Sequence, residues 1–176
     1  MKKSTFFKSA SLALACAAAT AAFSGCGSKN YAENNTAFFI GASGPLTGSA
    51  ASYGIAVQRG AELAVEEINA KNEDGMRFTF EIKDDKASAA DVPTNFAALY
   101  EKGMQLSLGA VTSGACLSFK GLAAEKNLFT LCPSATADDV TKDADTVFQM
   151  CFSDSNQGSV AAQQYFNTCL LYTSDA

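Results

Sequence analysis

From residue 37 to residue 166 the hydrophobic period switches repeatedly between two and about 3.6, and this alternation leaves room for little besides a βαβ series. Residues 37–42 are a short, continuous apolar run, as expected of a central parallel strand buried on both faces. A helix follows over 52–71, with Val57, Ala61, Ala64, Val65 and Ile68 on one stripe that packs on a sheet. Residues 77–83 alternate through Phe78, Phe80 and Ile82, a second strand whose half-polar pattern places it less deeply than the first. Asp84 and Asp85 end it, and 88–102 form the next helix through Val92, Phe96, Leu99 and Tyr100, with Gly103 at the C-terminal cap. Strands over 105–111, 129–132 and 147–152 alternate with helices over 118–126 and 155–166. The pattern predicts an α/β fold: a Rossmann-like parallel sheet with helices on both faces and right-handed crossovers.

The two ends of the chain read differently. Lys2, Lys3 and Lys8 precede a small, apolar stretch over 10–23, and Phe23-Ser-Gly-Cys26 closes it. This resembles a lipoprotein signal peptide over 1–25 with Cys26 as the lipidated residue, and the stretch is short of the ~20 residues a membrane span needs. Residues 26–36 then read as the lipidated cysteine and a polar tether. Residues 169–176 carry no turn chemistry and do not continue the preceding helix pattern. Back-translated, they resemble a transposase-type sequencing adapter, so they are set aside as a scar, and the gene is expected to run on past about residue 168.

Composition narrows the chemistry. The formal net charge is −5, and removing residues 1–25, with three lysines and no acids, makes it −8. An acidic chain with no basic stripe is a poor nucleic-acid binder. There is no histidine, which removes a Ser-His-Asp triad, a Cys-His pair and histidine metal ligation from this chain. Of six cysteines, Cys16 lies in the signal, Cys26 is the lipid site and Cys169 falls in the tail. Cys116, Cys132 and Cys151 remain, at no metal-ligand spacing, and are expected as buried free thiols rather than a disulfide.

In a parallel sheet of this order, three strand ends converge on one edge. They carry 43–53, 112–114 and 133–136, all rich in hydroxyls, free backbone N–H groups and small residues, and mostly leading into helix N-termini. Helix N-termini offer unpaired N–H groups and a partial positive charge that hold an anion. No lysine or arginine lies in these loops, which suits a singly charged carboxylate better than a polyphosphate. Taken one at a time, Ser113, Ser134 and Thr136 also fit the ordinary role of helix caps and turn residues. Glu66 and Glu67 read as a solvated helix face. Asp84 and Asp85 could bind a cation, and Asp138, Asp139, Asp143 and Asp145 form a loose acidic loop without the spacing and glycine of a calcium site.

The segment GPLTGSAASYG, residues 44–54, followed by RGAELAVEEINAK, residues 59–71, resembles the opening of the solute-binding proteins of branched-chain amino acid ABC transporters. The likeness covers roughly 38–166. It implies the first lobe of a two-lobed type I periplasmic binding protein, with the N-terminal lobe over 37–150 and the start of a second lobe over 151–168. In that family, a serine of the third-strand loop and a threonine of the fourth-strand loop grip the ligand carboxylate. Ser113 and Thr136 fall on those positions, Ser134 and Ala135 offer backbone atoms beside them, and Tyr53 matches an aromatic residue lining the pocket. Residues 154–158, Asp-Ser-Asn-Gln-Gly, resemble the crossing towards the second lobe. The resemblance further implies an amino-acid ligand, a membrane permease with its ATPase as partners, a monomer outside the cytoplasm, and neither cofactor, metal nor catalysis. Some relatives bridge the second and third strand ends by a disulfide. Here Lys86 or Ala87 and Thr112 stand at those places, so that bridge is absent.

Two other readings share the fold. A nucleotide-dependent enzyme is disfavoured because Gly41, Gly44 and Gly48 do not make G-x-G-x-x-G and no P-loop occurs. A ligand-sensing receptor or regulator domain is separated from a transport component mainly by the lipid anchor expected here.

Overall fold

The computed structural model describes residues 37–73 and 75–169. The expected signal peptide, Cys26, its tether and residues 170–176 lie outside the described residues. Five strands form one parallel sheet: β1 (Ala37–Gly44), β2 (Arg77–Asp84), β3 (Leu106–Ala110), β4 (Thr130–Cys132) and β5 (Val147–Gln149). Their order is β2-β1-β3-β4-β5. Parallel neighbours cannot be joined by a tight hairpin, so each return to the starting edge takes a crossover. Helices α1 (Ala51–Lys71), α2 (Val92–Glu101) and α3 (Ser113–Glu125) fill the first three crossovers. A single 3-10 turn (Asp138–Val140) fills the fourth, and α4 (Asp154–Cys169) follows β5.

The register decides which side chains share a face. Gly41 lies beside Ser107, Ser43 beside Ala110, Ser107 beside Thr130 and Cys132 beside Gln149. That face meets α2 and α3, and the core forms there from Val92, Phe96 and Leu99 of α2 with Cys116, Phe119 and Ala123 of α3. Phe119 meets Phe96 edge to face, ring centroids 5.0 Å apart at 73°. Burying Leu99 and Phe119 completely contributes about 1.5–3 kcal/mol each. A Cβ on Gly41 would stand 2.3 Å from the sulfur of Met104, so only glycine lets that residue seat under the strand.

On the opposite face Phe38 stacks on Phe78, and Phe129 lies tilted against Phe148. Helix α1 lies here against β2. Asn69 pins it by donating to the Phe78 carbonyl and accepting the Phe78 N–H, both at 2.8 Å, which satisfies backbone groups of an edge strand. The expected apolar stripe of α1 is only partly covered: Val57, Ala61 and Val65 are half-buried, Ala64 and Ile68 stay exposed, and Gly54 is the one fully buried residue of the helix.

Several boundaries differ from the sequence expectation. β1 runs two residues further, to Gly44. Helix α2 begins at Val92 rather than residue 88, because Lys86 and Ala87 adopt positive φ (53° and 61°) and Pro93 sits in the first turn. It ends as expected, with Gly103 at φ +94° and the Gly103 and Met104 N–H groups bonded back to Tyr100 and Leu99 in a Schellman pattern. Helix α3 starts at Ser113, five residues before the expected 118, and β5 stops at Gln149, which leaves Cys151 outside the strand. Cys116 and Cys132 are buried free thiols and Cys151 is a half-buried one.

β1 and β3 slip register between Gly41 and Ser43, and Gly109 accommodates the irregularity at φ +63°. A Cβ on Gly109 would also stand 2.9 Å from the Cys132 sulfur. Gly109→Ala therefore combines left-handed strain with overpacking and is expected to cost about 2–4 kcal/mol. A urea midpoint for this variant within error of wild type would contradict that account.

Candidate functional site

The chain leaves β1 towards β2 on one side, and β3 then returns on the other side of β1. This reversal opens a crevice at the carboxyl ends of β1 and β3, where ligands bind in open α/β sheets. The three loops expected at the site border it.

The loop after β1 is held from below by Asp84, the last residue of β2. Its carboxylate accepts the N–H groups of Leu46 (2.9 Å), Thr47 (3.4 Å) and Lys86 (2.9 Å) and the Thr47 hydroxyl (2.5 Å). Partial desolvation opposes ionisation, but these donors together outweigh it and hold the carboxyl at about 2. Asp85 is fully buried. It accepts the Ser43 hydroxyl at 2.9 Å and the Ala87 N–H at 2.9 Å. Asn95 reaches across to donate to Ser43 Oγ and the Asp84 carbonyl. Removal from water pushes the Asp85 carboxyl above its ordinary value, with nearby Asp84 and Asp91 adding to the push. Each of the two acids bonds the N–H two residues on, which supports the strained left-handed turn at Lys86 and Ala87. Neither carboxylate is arranged around a cation, and among the described residues no group of three or more acids or cysteines could hold a metal.

Helix α1 docks on this loop through Gly54: a Cβ there would stand 1.9 Å from the Pro45 carbonyl oxygen. Tyr53, beside it, is 64% exposed at the same edge.

The loops after β3 and β4 are tied directly together. Thr112 is extended and precedes α3 without a side-chain cap bond. Its hydroxyl oxygen is buried and has no partner among the described residues. The first i to i−4 bond of α3 runs from the Cys116 N–H to the Thr112 carbonyl, which leaves the amides of Ser113, Gly114 and Ala115 without an intrahelical acceptor. Ser134 Oγ donates to the Val111 carbonyl at 2.7 Å, and Ser113 Oγ accepts the N–H groups of Thr136 (3.3 Å) and Ala137 (3.4 Å). Ala135 is buried, and its carbonyl accepts from Gln149 Nε2 at 2.7 Å and Cys151 Sγ at 3.0 Å. Gln149 also donates to the Ala137 carbonyl. The Thr136 carbonyl accepts the Asp154 N–H, and Asp138 accepts the Ser155 hydroxyl, so α4 leaves from this loop.

Ser113 is thus bonded to Thr136, and Ser134 and Ala135, next to Thr136 in the same loop, are tied to Val111, Gln149 and Cys151. Tyr53 shares their sheet edge, and no hydrogen bond joins it to them. Sequence reasoning missed Asp84, Asp85, Asn95 and Gln149 as the supports of these loops. The Asp-Asp-Lys-Ala run carried a readable signal, since an acid two residues before a turn N–H is a common turn device. Gln149 carried none. A hollow of about 490 Å³ between α1 and β2, lined by Ala64, Ile68, Met76 and Phe78, lies at the other end of the strands. Glu67, Lys71 and Asn72 also line it, but it lies away from the carboxyl ends of the strands, where the three loops meet, and is not the site.

Residues 37–168 match the periplasmic binding protein family, and the chain belongs to it. This is a family of solute-binding proteins rather than enzymes, and its members work outside the cytoplasm. The chain is 36% identical over 126 residues to the Leu/Ile/Val-binding protein BraC3 of Rhizobium johnstonii, covering 70% of this chain and 34% of that protein. The branched-chain amino acid transporter substrate-binding protein LivJ of Streptococcus pneumoniae, solved with isoleucine, superposes with a TM-score of 0.69. Its identity is 34%, and the match covers 76% of this chain and 39% of LivJ. A solute-binding protein of Rhodopseudomonas palustris, solved with 3,4-dihydroxybenzoic acid, shares the fold at a TM-score of 0.62 and 19% identity, over 67% of this chain and 32% of that one. The chain spans 34–40% of the length of the curated relatives it matches.

The opposite shifts of the two acids give testable signs. Asp84 contributes stability that is present above about pH 4 and is lost as pH falls through about 2; Asp84→Ala should cost about 1–3 kcal/mol at pH 7. Asp85 binds its proton more tightly folded than unfolded, so its contribution is fully present below about pH 4 and is lost as pH rises through the raised folded value. Asp85→Asn cannot ionise. Thermal melts should therefore show its melting point, relative to wild type, higher at pH 7 than at pH 4. An equal difference at both pH values would contradict the assignment.

Proposed function

We propose that this chain is the N-terminal, ligand-gripping lobe of a lipid-anchored solute-binding protein of an ABC importer, which binds a branched-chain or related amino acid. The observation that carries the reading is the cluster beside the crevice: Ser113 at the start of α3, bonded to the backbone of Thr136 and Ala137, with a helix N-terminus and no cation in the loops. Such a cradle suits a carboxylate, whose single charge is met by amides and hydroxyls. The relatives' printed names, Leu/Ile/Val-binding protein and branched-chain amino acid transporter substrate-binding protein, favour leucine, isoleucine or valine.

In this reading Ser113 and Thr136 hold the carboxylate through their hydroxyls, Ser134 and Ala135 contribute backbone atoms, and Tyr53 lines the approach. A second lobe meets the ligand's other end. Ligand then stabilises the closed form because it touches both lobes, and no bond is made or broken. The loaded protein, a monomer held to the membrane through Cys26, presents its cargo to a permease and its ATPase. Sensing by a receptor of the same fold would use the same grip and differ only in the partner.

Calorimetry tests this. In a protein of the relatives' full length, Ser113→Ala and Thr136→Ala should each weaken leucine, isoleucine or valine by about ten- to a hundredfold, the loss of a hydrogen bond to a charged group. The 176-residue chain alone should bind these amino acids more weakly than micromolar. Unchanged affinity in both variants would move the carboxylate elsewhere.

A further inference from the structure

Two thiols face each other directly beneath the ligand loops. Cys116 stands in the first turn of α3, three residues after Ser113, and Cys132 ends β4, two residues before Ser134. Their sulfurs are 3.2 Å apart and both residues are 1% exposed. The Cys116 sulfur also lies 2.8 Å from the Ala110 carbonyl oxygen, and Cys132 fills the space over Gly109. No other side chain separates the two sulfurs. A disulfide needs them at about 2.05 Å, an approach of little more than 1 Å. The elements that carry them are already fixed to each other by the Ser134–Val111 and Ser113–Thr136 bonds. Cys151, the third thiol, is engaged with the Ala135 carbonyl and makes no bond to either.

We propose that Cys116 and Cys132 form a disulfide when the chain folds in an oxidising compartment, bridging α3 to β4 beneath the cluster of Ser113 and Thr136. From the proposed function it takes only the location outside the cytoplasm, where disulfides persist. With a small disulfide such as oxidised glutathione as oxidant, the Cys132 thiolate attacks one sulfur of the donor. The donor S–S bond breaks, one thiolate leaves, and a mixed disulfide remains on Cys132. The Cys116 thiolate then attacks the Cys132 sulfur and expels the second donor thiolate. Two protein thiols are oxidised by two electrons, the donor is reduced to two thiols, and the two protons pass to the leaving thiolates. Because both sulfurs are sealed in the finished core, the exchange belongs to folding, before the core closes. The bridge spans α3 and its following loop, so it restrains the unfolded chain and makes the two loops a single unit.

The test is a disulfide map of the full chain, reduced and unfolded, then refolded in parallel with a mixture of oxidised and reduced glutathione and with dithiothreitol. Trypsin places Cys116 in peptide 103–120, Cys132 in 127–142, Cys16 with Cys26 in 9–29 and Cys151 with Cys169 in 143–176, so the Cys116–Cys132 link has a mass of its own. The expected product of oxidative refolding is 103–120 linked to 127–142, absent after dithiothreitol, with a melting point about 5–10 °C above the reduced form. Cys151→Ser should leave the link in place, and Cys132→Ala should abolish it. Recovery of both peptides singly alkylated after oxidative refolding would overturn the proposal, as would a link from either to 9–29 or 143–176. The map on the unsubstituted chain decides the matter even if Cys132→Ala does not fold.

Discussion

All the strands of this sheet run the same way, and that constraint places the loops that leave them on one edge. Backbone N–H and C=O groups released at that edge must find partners or face a ligand. The chain answers with side chains recruited from a neighbouring strand. Asp84 at the end of β2 serves the loop after β1, and Gln149 at the end of β5 serves the loop after β4. Ser134 and Ser113 stitch the loops after β3 and β4 to each other. The site is built less from the residues that would touch a ligand than from the strand-end residues that stop the loops from collapsing onto themselves.

The two faces of the sheet carry unequal shares of the stability. Leu99, Phe96 and Phe119 are sealed between the sheet and helices α2 and α3. On the other face Phe129, Phe148 and Met150 stay 48%, 46% and 66% exposed, and α1 touches the sheet mainly through β2. Substitutions in the α2–α3 layer therefore disturb the hydrophobic term that holds the fold, while those along α1 mostly meet solvent.

The strand and helix order was legible because period two and period 3.6 alternate cleanly from Phe38 to Phe148. Boundaries were less so. Ser113-Gly-Ala-Cys lacks an obvious apolar stripe, yet α3 starts there because Ala115, Cys116 and Phe119 face the core together. Residues 88–91 read as helix, but the left-handed turn imposed by Asp84 and Asp85 delays α2 until Val92. The site residues were named through resemblance, and the structure brings four of the five together. Their long-range supports were hidden: Asp84 meets Leu46 38 residues away and Gln149 meets Ala137 12 residues away, beyond any periodic pattern, and only the bond from Asp84 to the Lys86 N–H two residues on left a local signal.

Ser113 has one further consequence. Its hydroxyl oxygen already occupies the place of an acceptor, taking two backbone N–H groups at 3.3 and 3.4 Å, near the long limit for such bonds. Both lone pairs of the hydroxyl are thereby engaged while its proton is unspent. A carboxylate gripped here as proposed would take that proton's hydrogen bond from an oxygen already polarised by two amides, so accepting and donating would reinforce each other. The same two contacts that join the loops after β3 and β4 would then aim the serine's one remaining bond at the cargo.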